Sequence, residues 1–263
     1  MRVKGVLFDL DGTLWFKGKV IEGANECLDW ARKRGLKVRI LTNTDTGTGE
    51  MLRERLIDDG LDVRPGEIYT PADAALTLVR QNPGKRFHFL VSRRLTSFFE
   101  PFSVASPPSD FVVVGDFRDN FSYERLNTAF RHLREGAQLV GLQKGKYLVR
   151  ADGCYIDTGA FVAALEYASD KTARILGKPE KEFFSGCLAE MGLCADEVVM
   201  VGDSVTTDIE GAVRIGAAGI LVKTGKYEPG DEARLATLPR WFEVTESVKQ
   251  VPPVVERGMR AGV

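Results

Sequence analysis

The sequence predicts an α/β protein with a mostly parallel sheet, and three observations carry that expectation. Short apolar runs alternate with stretches of helical spacing along most of the chain. Several of those runs stop at a polar or charged residue, as strands do at the ligand-binding edge of an open parallel sheet. The 263 residues are 44% hydrophobic and 28% charged, an ordinary globular balance with length for one large domain or two modest ones.

The elements follow in order. Residues 3–10 read as a buried strand, 24–34 as a helix that Gly35 caps, and 37–41 as a second strand. Met51, Leu52, Leu56 and Ile57 fall at helical spacing in 50–59, ahead of Gly60. Thr70-Pro71-Ala72-Asp73 opens another helix: the threonine caps, the proline suits the first turn and the aspartate favours the positive helix end. Residues 87–91 and 111–114 read as strands, and 103–110, "SVASPPSD", as a loop. Residues 123–135 form a helix with Leu126, Ala129, Phe130 and Leu133 on one face. Strands are expected at 138–142, 147–150, 173–176, 197–201 and 219–222, and helices at 161–168, 181–191 and 207–215. The pattern weakens beyond Pro239, and 256–263 is expected to be loosely held.

The formal net charge of −1 argues against a nucleic-acid or membrane partner held by bulk electrostatics. Cys27, Cys154, Cys187 and Cys194 form no CxxC pair, and His88 and His132 lie far apart, so neither a zinc site nor a disulfide framework is expected. The thiols read as reduced, small core residues. Three apolar residues precede Asp9, too few for a signal-peptide core, and no run is long enough to span a membrane. A cytoplasmic location is the expectation.

The stretch "VLFDLDGTL" carries the chemistry. Asp9 and Asp11 are two apart, so at a strand end they share one side, and Gly12 allows a sharp departure. Two like charges at that spacing are relieved by a divalent cation. Other expected strand ends offer Thr42 and Asn43, then Lys178 between Gly177 and Pro179, then Gly202-Asp203 with Asp208 five residues on. Carboxylates, a lysine, a hydroxyl and an amide at separate strand ends suit a magnesium-held phosphate. Asp208 reads equally well as a charge at a helix N-terminus, and Thr13 as a turn hydroxyl.

The chain resembles the haloacid dehalogenase (HAD) superfamily, whose four motifs match Asp9-x-Asp11-Gly12-Thr13, Thr42-Asn43, Lys178 and Gly202-Asp203-Ser204-x3-Asp208. "GKPEKEFF", "ADGCYIDTGAFVAALEYAS", "YERLNTAFRHLREGAQLVGLQKGKY" and "GILVKTGKY" are similar to its NagD-like subfamily IIA. The resemblance runs from Lys4 to about Glu232, weakest at 98–110 and after Trp241. Thr44 departs from the second asparagine common after "TN", and "DTGTGE" makes the loop that follows glycine-rich.

The resemblance implies a Rossmann-like core with a parallel sheet, from 1–70 and 172–263, and an inserted α/β type-2 cap, 71–171. It makes 15–23 a flap hairpin. It also implies a magnesium-dependent phosphatase acting on a small phosphorylated metabolite through an aspartyl-phosphate. Asp9 would be the nucleophile, Asp11 the general acid and base, and Lys178 the charge-spreading cation. Asp9, Leu10, Asp11, Thr42, Asn43 and Lys178 would meet the substrate. Asp9, Asp11 (through its carbonyl) and Asp203 would hold Mg2+, with Asp208 orienting Lys178 or the metal's waters. Substrate choice would lie in 145–157, where Lys146, Arg150 and Asp157 are candidates, though an ordinary surface turn is the better reading of any one. Relatives often pair through their caps, which leaves a homodimer open here. Phosphoryl transfer to another acceptor, or a scaffold with vestigial activity, remain the alternatives; Asp11, Asp203 and Lys178 together make dehalogenation remote.

Overall fold

The strand Gly5–Asp9 is buried at every position, which suits a central parallel strand covered on both faces. It pairs in parallel with Lys37–Leu41 on one side and Val198–Gly202 on the other, with Asp9 opposite Leu41 and Phe8 opposite Val201. The structure, a computed structural model, describes residues 3–150, 153–235 and 242–261. By its internal contacts the chain divides into two units: Met1–Thr42, Gly49–Tyr69 and Lys178–Val263 form the first, and Asn43–Thr48 with Thr70–Gly177 the second.

The first unit holds a six-stranded parallel sheet ordered Phe242–Thr245, Ala218–Val222, Val198–Gly202, Gly5–Asp9, Lys37–Leu41, Ile68–Tyr69. The order reverses direction at Gly5–Asp9, and sheets of this kind bind ligands outside the carboxyl ends of the strands at such a point. One core joins Val6, Phe8, Ile40, Val199 and Val201 of the sheet to Cys27, Leu28 and Ala31 of the helix Ala24–Lys33. The same core takes in Val251, Val254 and Val255 of the helix Val251–Ala261. That last helix corrects the expectation of a loosely held tail as far as Ala261: three valines at i, i+3 and i+4 dock it, and its two prolines fall in the first turn, where a missing N–H costs nothing. The hairpin Trp15–Phe16 with Lys19–Val20 follows the first strand, as expected.

The second unit is built on a four-stranded parallel sheet, Arg174–Ile175, Gln138–Gly141, Phe111–Val114, Phe87–Leu90. Phe161, Val162 and Leu165 of the helix Thr158–Ser169 pack with Ala129 and Leu133 of Tyr123–Arg134 against Val112, Val114 and Leu139. An antiparallel hairpin, Tyr147–Arg150 with Gly153–Ile156, stands apart from that sheet.

Differences from the expected elements have local causes. The helix Arg93–Phe99 was not predicted, because Arg93, Arg94, Thr96 and Ser97 interrupt its apolar spacing; Ser92 starts it by accepting from the Leu95 N–H. The strand Gly153–Ile156 is exposed throughout and shows no alternation to read. Only Cys27 and Cys187 are core thiols; Cys154 and Cys194 are exposed, and all four are free. Among the described residues no helix is long and apolar enough to cross a membrane.

Candidate active site

The site grows from strand ends of the first unit. Asp9 closes the central strand with its side chain buried, and Gly12, at φ +96°, turns the chain away two residues past Leu10. The Leu10 carbonyl receives the N–H groups of Thr13, Leu14 and Trp15, which fixes the loop. Thr13 is fully buried and donates to Asp9 Oδ2 at 3.4 Å, so it is more than the turn hydroxyl expected. Thr42, just past the neighbouring strand, donates to Asp11 Oδ2 at 3.2 Å.

Lys178 enters from the opposite flank. Its buried ammonium contacts Asp9 Oδ1 and donates to Asp208 Oδ1 at 2.8 Å and to the Leu41 carbonyl at 2.9 Å. Asp208 also accepts from the Ser204 N–H at 3.1 Å. It is delivered by a wide turn, Val205–Ile209, in which the Ile209 N–H reaches back five residues to Ser204. The helix expected at 207–215 is therefore α-helical only over Glu210–Ile215. Asp208 folds over Gly202, where a β-carbon would fall 2.4 Å from Asp208 Oδ2. Of the two readings of Asp208, orienting Lys178 is the one these contacts favour.

Asp203 is 1% exposed. Its Oδ2 accepts from the Lys226 N–H at 2.6 Å, while its buried Oδ1 has no hydrogen-bond partner among the described residues. One carboxylate oxygen from each of Asp9, Asp203 and Asp208 lies within 4.8 Å of the others. Three buried carboxylates surround one buried ammonium, and were all three ionised two negative charges would be uncompensated there. Burial pushes the Asp203 carboxyl up to about 7, with Asp208 adding repulsion. Burial likewise pushes Asp9 well above the carboxylate range, against the pull of Lys178. Lys178 stays charged and its value rises, because Asp208 and Asp9 outweigh its desolvation. An orphaned buried oxygen and two excess negative charges fit a small divalent cation with oxygen ligands.

The segment Thr224-Gly225-Lys226 escaped the sequence reading as part of the site. Thr224 Oγ1 donates to the Gly12 carbonyl, and Lys226 holds Asp203 through its backbone. A β-carbon on Gly225 would fall 1.8 Å from Asp203 Oδ2, and one on Gly12 2.0 Å from the same atom, so both glycines are needed for space. The available signal was a hydroxyl and a glycine after the apolar run "GILV", the same strand-end logic that singled out Thr42.

Asn43 groups with the second unit, where its Oδ1 would sit 2.7 Å from a β-carbon on Gly177, the residue before Lys178. In that unit Asp157 accepts from the Thr158 N–H at 2.9 Å and caps a helix, and Lys146 is exposed. The Arg150 side chain lies outside the described residues.

A family model described as haloacid dehalogenase-like hydrolase matches residues 6–104, which include Asp9, Asp11, Thr42 and Asn43. A second, HAD-hydrolase-like, matches 175–251, with Lys178, Asp203 and Asp208. Haloacid dehalogenase-like hydrolase domain-containing protein 2 of Mus musculus is 39% identical over 237 residues, 90% of either chain. The chain belongs to the haloacid dehalogenase-like hydrolases, in their NagD-like branch. Phospholysine phosphohistidine inorganic pyrophosphate phosphatase of Xenopus laevis is 38% identical over 88% of this hydrolase and 87% of its own length. The solved structure of NagD from E. coli K-12 superposes with a TM-score of 0.85 at 27% identity, covering 95% of this hydrolase and 98% of that chain. The two family matches thus flank the middle of the chain and take in every site residue of the first unit, Thr224 to Lys226 included.

Proposed function

We propose that this hydrolase is a magnesium-dependent phosphatase of a small phosphorylated metabolite, working through an aspartyl-phosphate on Asp9. Residues 1–70 and 172–263 would be its catalytic core and 71–171 the cap that selects the leaving group. The observation that carries this reading is the charge imbalance around Asp9: buried carboxylates of Asp9, Asp203 and Asp208 against Lys178 alone, with Asp203 Oδ1 unpartnered among the described residues. The phosphatase name of a relative 38% identical agrees with it, and a cytoplasmic location is part of the same proposal.

Asp9, Asp203 and the Asp11 carbonyl would hold Mg2+. When bound, the cation offsets the charge of the transferring phosphoryl group and favours ionised Asp9. The Asp9 carboxylate attacks phosphorus in line, and the bond to the leaving oxygen breaks as Asp11 gives that oxygen a proton. Asp11 then takes a proton from water, which attacks the aspartyl-phosphate, releases phosphate and restores Asp9. Lys178, kept charged by Asp208, spreads the negative charge that develops on the phosphoryl oxygens. Thr42, Asn43 and the Leu10 backbone would receive those oxygens.

Hydrolysis of 4-nitrophenyl phosphate with Mg2+ tests the proposal. Wild type releases phosphate, and chelation of the metal stops it. Asp9→Asn lowers kcat by about a thousandfold or more, the scale of losing a covalent nucleophile. Equal turnover by the variant would remove Asp9 from the mechanism.

A further inference from the structure

The loop after Thr42 reads Asn43-Thr44-Asp45-Thr46-Gly47-Thr48 and groups with the second unit. A loop so rich in glycine and hydroxyl residues has little local preference for one conformation. One buried carboxylate sits in its middle: Asp45 is 4% exposed. Its Oδ2 accepts from the Thr158 hydroxyl at 2.6 Å and from the Asp116 N–H at 3.0 Å. Those donors come from separate places, the start of the helix Thr158–Ser169 and the turn just after the strand Phe111–Val114. A third fastening is the Ser92 hydroxyl, which donates to the Thr46 carbonyl at 3.1 Å.

We propose that Asp45 is a positioning residue: by pinning the loop to the second unit it fixes the peptide of Asn43 beside Gly177. This rests on the phosphatase reading, in which Thr42 and Asn43 hold phosphoryl oxygens and Lys178 follows Gly177. The geometry points to this role because Asp45 lies two residues past Asn43, whose side-chain oxygen crowds the space over Gly177. The arrangement is costly. Burial pushes the Asp45 carboxyl up to about 7; the Thr158 hydroxyl pulls against this, Asp157 and Asp116 add repulsion, and the Asp116 N–H lowers it slightly. Arg118 is the cation that faces all three carboxylates, and it is committed to Asp116. A residue serving packing alone would carry no such charge.

The test compares Asp45→Ala, Thr158→Val and Asp45→Asn with wild type in the full-length protein. The readouts are hydrogen exchange of amides 43–48 without metal, Tm, and steady-state hydrolysis of 4-nitrophenyl phosphate with inorganic phosphate as inhibitor. Asp45→Ala is expected to speed exchange in 43–48 and to raise KM and the phosphate inhibition constant together, by about tenfold, with a smaller loss in kcat. Thr158→Val shifts the same quantities in the same direction by less. Asp45→Asn keeps an acceptor oxygen for both donors and restores KM to within about threefold of wild type. Unchanged exchange and KM in both Asp45→Ala and Thr158→Val would overturn the proposal, as would a fall in Tm with KM unmoved. Should wild type release no phosphate, the phosphatase reading falls by itself, and the exchange comparison still decides whether Asp45 pins the loop.

Discussion

The two units use one architecture, a parallel sheet with helices packed on it, and both bury carboxylates near strand ends, yet Asp116 of the second and Asp203 of the first are partnered in opposite ways. In the second unit Asp116 is bonded by the Arg118 side chain, with Nε at 2.8 Å, and also accepts the Arg118 N–H at 3.1 Å. In the first, Asp9 and Asp208 share Lys178, while Asp203 is held by the Lys226 N–H and its other oxygen is left unpartnered among the described residues. A carboxylate with its own cation steadies a fold. A buried carboxylate oxygen with no partner, beside two carboxylates that already share one lysine, works against the fold and marks where a ligand is expected.

The sharpest way to break this contrast is to neutralise one aspartate in each unit. Asp203→Asn is expected to lower phosphate release by about a thousandfold and to abolish the rise in Tm that Mg2+ gives wild type. Without metal the same variant should melt higher than wild type, by about 1 kcal/mol, because a repelling buried charge is gone. Asp116→Asn should do the reverse: a loss of about 1–2 kcal/mol, discounted for the partial exposure of Arg118, with the Mg2+ response intact. Melting curves with and without Mg2+ read both. If Asp203→Asn melts lower than wild type without metal, the surplus charge is not a strain and the contrast fails.

That contrast was half legible in the sequence. Asp9, Lys178 and Asp203 stood out because each closes an apolar run at an expected strand end, where parallel sheets place ligands, and Asp11 and Asp208 by their spacing from Asp9 and Asp203. The strands themselves were readable: Gly5–Asp9 and Val198–Gly202 are short apolar runs, and Lys37–Leu41 opens with Lys37 and Arg39 alternating with apolar residues. What was hidden acts through the backbone or across long separations. Lys226 holds Asp203 by an N–H that any residue but proline would supply. Asp45 finds Thr158 across 113 positions. The turn at Val205–Ile209 differs from an α-helix by one residue per hydrogen bond, a difference that periodicity cannot register.

His88 and His132, unremarkable in the sequence, give the second unit a weakness of its own. Their rings stack with centroids 4.3 Å apart, His88 bonding the Val104 carbonyl at 3.0 Å. Neither His132 nitrogen makes a well-formed hydrogen bond among the described residues, and the backbone of Ala105 near the ring favours its charged form only weakly. Burial, then the neighbouring His88, pushes His132 down to about 4. Unfolded, it would titrate near its usual 6.5, so between the two values the unfolded chain binds the extra proton. His132 alone therefore takes stability from the second unit as pH falls from about 6.5 to about 4, by about 3 kcal/mol, while Asp45, raised to about 7, works in the opposite sense over the same range. His132→Phe keeps a ring and should remove most of that loss. Hydrogen exchange of 87–90 and 123–134, followed from pH 7 to 4, measures it. Equal acid sensitivity in the variant would assign the loss to other groups.

The smallest effect concerns two buried threonines. Thr70 caps the helix Pro71–Gln81: its hydroxyl accepts from the Asp73 N–H at 3.3 Å, and Asp73 Oδ2 accepts from the Thr70 N–H at 2.9 Å. Thr42 is equally buried, but its hydroxyl points its proton at Asp11. Thr70→Ala should cost about 1 kcal/mol, the usual worth of such a cap, and leave KM for an aryl phosphate where it was. Thr42→Val keeps the shape and β-branching, so Tm should hardly move while KM rises. Both hydroxyls are buried and both donate to an aspartate, Thr70 to Asp73 at 2.8 Å and Thr42 to Asp11 at 3.2 Å, so it is the measurement that separates a helix cap from the proposed phosphate contact. If both variants lower Tm and spare KM, Thr42 belongs with Thr70 as a structural residue, and the phosphate-holding role falls to Asn43 and the Leu10 backbone.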